Sequence, residues 1–258
     1  MIIVFSGCGN TAAATSELAR LSCDDVLRLD AAMLRADTPE PQIQASGRHI
    51  IWAFPTYSWG VPPVVRRFMA RVRLGGADGM THHMFTTCGD DIGDCAAMWR
   101  SDIAARGWRS GRAFSVQMPN TYVTMRGFDV DSTETAQCKV SAMPAHVAEI
   151  AAELDRPGAD MTIRGRFAWL KTRVVYPWFV RHDMSPRPFH ATADAPWPIS
   201  PSTLPTSARA GAQNALSASV VTTPVRRMPW PTATKQDAKG NGVEHKNAAF
   251  HLICVIMR

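Results

Sequence analysis

No C-x-x-C pair occurs among the six cysteines, Cys8, Cys23, Cys88, Cys95, Cys138 and Cys254, which are scattered along 258 residues. Such spacing supports neither a zinc framework nor a disulfide framework, so no metal site is expected and reduced thiols suit the cytoplasm. No apolar run approaches the roughly 18 residues that a membrane-crossing helix needs. The closing stretch 250–257 is far shorter, and no membrane span is expected. The apolar start, residues 1–5, has no basic flank ahead of it and leads at once into Ser-Gly-Cys-Gly, unlike a signal peptide; a cytoplasmic protein is expected. Motifs for DNA or RNA are also missing. The formal charge of +6 divides unevenly: residues 1–193 hold 21 Lys and Arg against 19 Asp and Glu, while 194–258 hold 7 against 3. The excess lies largely in the tail, and without a motif it does not predict a nucleic-acid partner.

What is present through residue 155 is an alternation of strand and helix patterns. Residues 2–6 form a short apolar run closed by a Gly-rich turn, and 11–21 carry Ala12, Leu18 and Leu21 at helical spacing. Further strands are expected at 26–30, 49–54, 84–87 and 113–118. Helices are expected at 61–72, with Pro62 and Pro63 tolerated in the first turn, at 92–105, and at 133–154, broken or entered at Pro144. Five strands alternating with helices imply a parallel sheet covered on both faces, because parallel strands need crossover connections. The expected fold is α/β, a doubly wound five-stranded parallel sheet of order 2-1-3-4-5, occupying residues 1–155. Residues 156–193 read as a connecting helical segment. Within it, 167–180 mixes aromatics with Lys171, Arg173 and Arg181; a membrane-surface helix is one reading, but Pro177 interrupts a long amphipathic face and favours a helix packed on the domain. Residues 194–258 are rich in Pro, Ser, Thr and Ala with little periodicity and are expected to be disordered.

Ser6-Gly7-Cys8-Gly9-Asn10-Thr11 closes the first strand and opens the first helix. A helix N-terminus leaves backbone N–H groups unpaired and partly positive, glycine lets the backbone approach a ligand, and Ser6, Asn10 and Thr11 add side-chain donors; the combination suits phosphate. A Walker loop fails for want of lysine, and a cysteine-phosphatase loop fails because Ala14 stands where its arginine belongs. Gly7-x-Gly9-x-x-Ala12 also satisfies the dinucleotide fingerprint, with Asp25 or Asp30 as ribose acid, so a flavin mononucleotide and a dinucleotide both remain.

The ends of the third and fourth strands weigh between them. In a sheet of order 2-1-3-4-5 a ligand sits at the carboxyl ends of strands 1 and 3, where the winding reverses. Strand 3 runs into Pro55-Thr56-Tyr57-Ser58-Trp59-Gly60 and strand 4 into Thr87-Cys88-Gly89-Asp90. A flat, partly apolar flavin ring needs stacking faces and nearby backbone hydrogen bonds, which an aromatic loop beside a small Gly-containing loop supplies.

Residues 5–11, residues 54–63, Thr87-Cys88-Gly89-Asp90 and Met118-Pro119-Asn120-Thr121-Tyr122, taken in order, resemble the flavodoxin half of bacterial and archaeal flavodoxin/ferredoxin fusion proteins across about residues 1–190. The resemblance implies FMN as cofactor, with Ser6, Cys8, Gly9, Asn10 and Thr11 at the phosphate. It implies two ring loops, one of Thr56, Tyr57, Ser58, Trp59 and Gly60 with Pro55 ahead of them, the other of Thr87, Cys88, Gly89 and Asp90, with Asn120 and Tyr122 at the border. Family members commonly carry threonine where this chain has Cys8, which removes a hydroxyl donor and leaves the backbone donors. A thiol at a helix N-terminus can also have a lowered pKa, although a small tolerated side chain is the plainer reading. The fusion proteins continue into two runs of the form C-x2-C-x2-C-x3-C-P that hold [4Fe-4S] clusters. After His190 this chain has Cys254 alone, so no [4Fe-4S] cluster is expected, and the tail reads as a translation of that half in a shifted frame or as a genuine extension.

The expected function is electron transfer through non-covalently bound FMN, with no catalytic side chain and with redox partner proteins, a ferredoxin or a reductase. Tyr57 or Trp59 would stack on the ring, and Asp90 with Asp91 would set a negative field opposing its reduction. The alternatives are an FMN-dependent NAD(P)H:quinone-type oxidoreductase and a flavodoxin-like module that has lost its cofactor.

Overall fold

The computed structural model describes residues 1–35, 39–122 and 129–182. The expectations for 194–258, disorder and frame included, lie outside the described residues. Five parallel strands form one sheet in the order β2-β1-β4-β6-β7: β1 (Ile2–Val4), β2 (Val26–Arg28), β4 (His49–Pro55), β6 (Thr81–Cys88) and β7 (Arg109–Gln117). Counted within the sheet, this is the expected 2-1-3-4-5. Parallel strands read as continuous apolar runs because helices cover both faces. All of β1 is buried, as is β4 from His49 to Phe54.

Alternation along the strands separates two cores. Ile2, Val4, Ile51, Ala53, Phe85, Phe114 and Val116 pack with Ala14 and Leu18 of α1 (Asn10–Ser22) and with Val147 and Ile150 of α5 (Thr133–Glu153). Trp52 points the other way and meets Phe68 of α3 (Pro63–Arg71) edge-on, with ring centroids 6.4 Å apart. A two-pronged ion pair, Arg66 to Asp102 with both N···O distances 2.7 Å, ties α3 to α4 (Cys95–Ala105). Helices on opposite faces make the sheet doubly wound, and the reversal falls between β1 and β4.

Several boundaries differ from the sequence reading for local reasons. Strand β6 begins at Thr81 because His82 and His83, polar in the sequence, are buried here. Trp52 Nε1 donates to His82 Nδ1 at 3.0 Å, and the His82 ring stacks on Trp108 at 4.7 Å. Desolvation, with the neighbouring imidazole as a second cause, lowers His82 to a pKa of about 4, and His83 likewise falls to about 4. Helix α4 starts at Cys95 and not Ile92, since Gly93 at φ 56 belongs to the loop before it. Pro144 neither breaks nor opens α5, which runs through it. It costs one backbone bond, and both Val140 and Pro144 are exposed, where water can replace that bond. A second, two-stranded parallel sheet, β3 (Gln42–Gln44) with β5 (Arg73–Gly75), was not expected, nor was a short α2 (Ala31–Leu34), which packs on α3.

The segment after α5 first closes the sheet's edge. Met161 bridges to Phe114 in parallel, exchanging Ser115 N–H to Met161 O and Met161 N–H to Ala113 O, each at 2.9 Å. An edge strand so covered cannot recruit another chain there. Next come α6 (Ala168–Leu170), a π-helical turn (Lys171–Val175) and α7 (Tyr176–His182). The packed helix expected over 167–180 is present, with Ala168, Thr172, Tyr176 and Phe179 buried. Pro177 does not interrupt it: the widened π turn immediately before lets the helix pass a residue that has no N–H.

Candidate functional site

Three loops meet at the carboxyl ends of β1, β4 and β6. The first follows β1. Gly9 adopts φ 95, which only glycine takes without strain, and a Cβ there would meet nothing within 4 Å, so conformation and not space fixes this residue. Helix α1 opens at Asn10 with no side-chain cap. Ser6 Oγ accepts from Gly9 N and from Ala12 N, both at 3.2 Å. Two backbone N–H groups therefore converge on one oxygen, the arrangement that an anion's oxygen exploits at a helix N-terminus.

Asn10 and Thr11 are held elsewhere by their side chains. Asn10 Nδ2 donates to Pro119 O at 2.9 Å, and the Thr11 hydroxyl, buried, bonds the Thr87 hydroxyl at 2.7 Å. The two hydroxyls spend one proton on each other, which leaves one for a further acceptor. Cys8 is exposed and receives a hydrogen bond from Thr121 Oγ1 at 3.6 Å. Desolvation of the thiol within the loop outweighs that bond and pushes its pKa up, against the lowering that a helix N-terminus could bring.

The loop after β4 is a tight reversal. Tyr57 and Gly60 exchange both backbone hydrogen bonds at 3.0 Å, and the two residues between them, Ser58 at φ 44 and Trp59 at φ 63, both lie in the left-handed region. Such a turn favours Asn-Gly or Asp-Gly; Ser-Trp carries strain of about 1–2 kcal/mol per residue that the surroundings must hold. The helical segment from α6 to α7 supplies that hold. Thr172 Oγ1 donates to Trp59 O at 2.7 Å and accepts from Asp94 N at 2.8 Å, while Lys171 Nζ lies over the Trp59 ring at 5.0 Å. The Tyr176 ring fills the space where Gly60 lacks a Cβ, and its hydroxyl donates to Val61 O at 2.5 Å. Tyr57 meets Phe5 edge-on at 6.3 Å. The Ser58 hydroxyl is buried and has no hydrogen-bond partner among the described residues. Ahead of the turn, Pro55 ends β4, and Thr56 N donates to Thr87 O at 2.8 Å.

In the loop after β6, Thr87 joins both other loops through the bonds just described. Cys88 is buried against Val116 O; burial, reinforced by Asp91 and Asp90, pushes its thiol up to about 12 and keeps it neutral. Gly89 approaches Asn120 so closely that a Cβ would lie 3.2 Å from its side chain. Lys139 of α5 donates to Gly89 O at 2.8 Å and to Asp131 at 2.7 Å, and stands 3.8 Å from exposed Asp90. Asp91 takes Lys171 at 2.6 Å. Lys171 pairs closely with Asp91, whereas Lys139 is held by Asp131 and stands farther from Asp90, so three carboxylates face two lysines and the negative field expected of Asp90 and Asp91 is reduced but keeps its sign. Asn120 N donates to Asp131, and its side-chain oxygen accepts from Tyr122 N at 3.2 Å; the Tyr122 ring meets Phe179 of α7 at 5.8 Å. The structure therefore gathers all three predicted loops and the Asn120 border at one end of the sheet.

The residues that sequence reasoning missed are those supporting the loops: Lys139, Asp131, Lys171, Thr172 and Tyr176. None sits in a motif, and each acts on residues distant in sequence. At the opposite end of the strands a cleft of about 550 Å³ is lined by Arg48, Arg100, Arg112 and Arg156 among others. Each of these arginines is paired with Asp155, Asp160 or Glu153, Glu153 serving two of them, so the four positive charges of the cleft are largely offset. Among the described residues no helix is long and apolar enough to cross a membrane, and no group of His, Cys, Asp and Glu gathers as a metal-ligand set.

No protein-family model matches this chain, and no curated protein matches it. Similar solved structures include an NAD(P)H:quinone oxidoreductase from Methanothermobacter marburgensis, at 10% identity and TM-score 0.35, covering 61% of this chain and 96% of that one. An azoreductase from Bacillus anthracis str. Sterne has 10% identity and TM-score 0.36, covering 59% and 97%. The Trp repressor binding protein from Bacillus subtilis has 11% identity and TM-score 0.31, covering 56% and 95%. Likeness this low adds no weight of its own; strand order, parallel pairing and helices on both faces make the fold of this chain flavodoxin-like α/β.

Proposed function

We propose that the chain binds FMN non-covalently and passes electrons through it. The observation that carries this reading is the convergence of Gly9 N–H and Ala12 N–H on Ser6 Oγ, in a loop bonded through Thr11 and Thr87 to the two loops suited to a ring. The residues fit the group: an anion would compete with Ser6 for the same donors, and the unpartnered Ser58 hydroxyl lies in the loop assigned to the ring. Ser6, Cys8, Gly9, Asn10 and Thr11 would hold the phosphate, with residues 55–60 on one side of the ring and 87–90 on the other. Bound flavin supplies the electron chemistry, and the chain's side chains bind and tune without acting as acid or base. Partners are separate redox proteins, a ferredoxin or a reductase. Equilibrium dialysis and an absorption titration test the reading. FMN should bind, with flavin bands that shift and sharpen, and NAD should not; the reverse preference would restore the dinucleotide reading, and uptake of neither would assign a module without cofactor.

One observation favours a second reading, an FMN-dependent oxidoreductase that takes electrons from NAD(P)H and gives them to a quinone-type acceptor. Lys171 neutralises Asp91, and Lys139, shared between Asp131 and Asp90, offsets part of the remaining charge, which lessens the cost of adding negative charge to a ring there. Steady NAD(P)H oxidation with a soluble quinone, in the absence of any partner protein, separates this enzyme from a carrier.

A further inference from the structure

The helical segment of residues 168–182 has a second face. Ala168, Thr172, Tyr176 and Phe179 point inward, while Leu170, Val174 and Trp178, at equally helical spacing, remain exposed, with Phe167 at the N-cap and Trp169 beside them. Phe167 is 70% exposed, Trp169 61% and Trp178 51%, and these five residues make up most of the exposed large hydrophobics among the described residues. Scattered exposed apolar residues are ordinary, but a contiguous run of three aromatics and two aliphatics marks an interaction surface.

The charges along this ridge are mostly basic. From residue 161 to 183 the chain carries Arg164, Arg166, Lys171, Arg173 and Arg181 against Asp183 alone. Two acids from neighbouring loops are ion-paired, Asp94 with Arg164 and Asp91 with Lys171. Arg166, Arg173 and Arg181 are exposed and pair with no described carboxylate; Arg166 lies over the Phe167 ring at 5.6 Å.

We propose that this ridge is a peripheral membrane-docking face that seats the protein on an anionic phospholipid surface, its aromatics at the headgroup boundary and Arg166, Arg173 and Arg181 among the phosphates. A helix lying in the interface buries Trp, Phe and Leu on one side while basic residues meet anionic lipid. The proposal stands independently of the flavin reading, since it uses none of the residues assigned to the cofactor except through the inward face of the same helix.

Flotation of the full chain with phosphatidylcholine vesicles, with and without phosphatidylglycerol, tests it. Three cations favour the anionic vesicles by roughly a hundredfold at low salt, an advantage that high salt erodes. The double variants Val174→Ser/Trp178→Ser and Arg173→Gln/Arg181→Gln should each weaken binding at least about tenfold. All four positions are exposed, so circular dichroism and the melting temperature should stay unchanged and exclude unfolding as the cause. Equal binding to neutral vesicles, or wild-type binding by both variants, would overturn the proposal. Absence of vesicle binding together with a concentration-dependent dimer that Val174→Ser/Trp178→Ser abolishes would also overturn it, by assigning the ridge to a second copy of the chain.

Discussion

Thr11 and Thr87 lie 76 residues apart in sequence and share a buried hydrogen bond of 2.7 Å. It joins the first turn of α1 to the end of β6, so the loop suited to phosphate and one loop suited to a ring cannot move independently. Valine is nearly isosteric with threonine but leaves the partner hydroxyl buried and unsatisfied. Thr11→Val and Thr87→Val should each cost about 1–3 kcal/mol by urea denaturation, and the double variant less than their sum. Strict additivity would mean that the bond contributes nothing.

Replacing both Asn10 and Thr11 by alanine should weaken FMN at least about tenfold in equilibrium dialysis, through lost donors and a loosened loop. Unchanged affinity would place the ligand elsewhere.

Gly9→Ala isolates the backbone. Nothing within 4 Å would obstruct the added methyl, so its cost arises from φ 95 alone, about 1–2 kcal/mol of stability. FMN affinity should fall with it, because relaxing φ turns the Gly9 N–H away from Ser6. A variant as stable as the parent would show that the turn tolerates another conformation.

Acid should destabilise the fold through His82 and His83. Both are held near a pKa of about 4, against 6.5 in the unfolded chain, so between these values the unfolded state binds more protons than the native one. Their stabilising share is complete above 6.5 and is lost as pH falls toward 4. Lowering pH from about 7 to about 5 should remove roughly 1–2 kcal/mol per histidine. His82→Gln keeps an acceptor for Trp52 and should flatten part of that slope; an unchanged slope would remove His82 from the account.

Thr172→Val severs two bonds at once, to Trp59 O and from Asp94 N. It should lower stability by about 1–3 kcal/mol and accelerate amide exchange at Tyr57 and Gly60 more than in the sheet. Uniform acceleration would mean that the helix does not specifically restrain the turn.

The sheet was legible because its inner strands β1 and β4 are buried on both faces and write themselves as apolar runs. The loops were legible because each follows such a run directly. Where the reading failed, the deciding group was remote. His82 and His83 look polar until Trp52 and Trp108 enclose the first of them. β3 buries only Ile43 between two exposed glutamines, too little for a periodic signal. Pro177 suggested a break because a widened turn has no sequence signature. The countercharges on Asp90 and Asp91 come from Lys139 and Lys171, in helices reached much later in the chain.

The left-handed pair Ser58 and Trp59 separates what folding prefers from what the site uses. Glycine at position 58 would relieve strain, so a library selected for heat resistance alone should accumulate Ser58→Gly. A library selected for flavin retention should keep the serine if its unpartnered hydroxyl faces a ligand. Divergence of the two selections at this one codon would distinguish a residue retained for use from one retained by history.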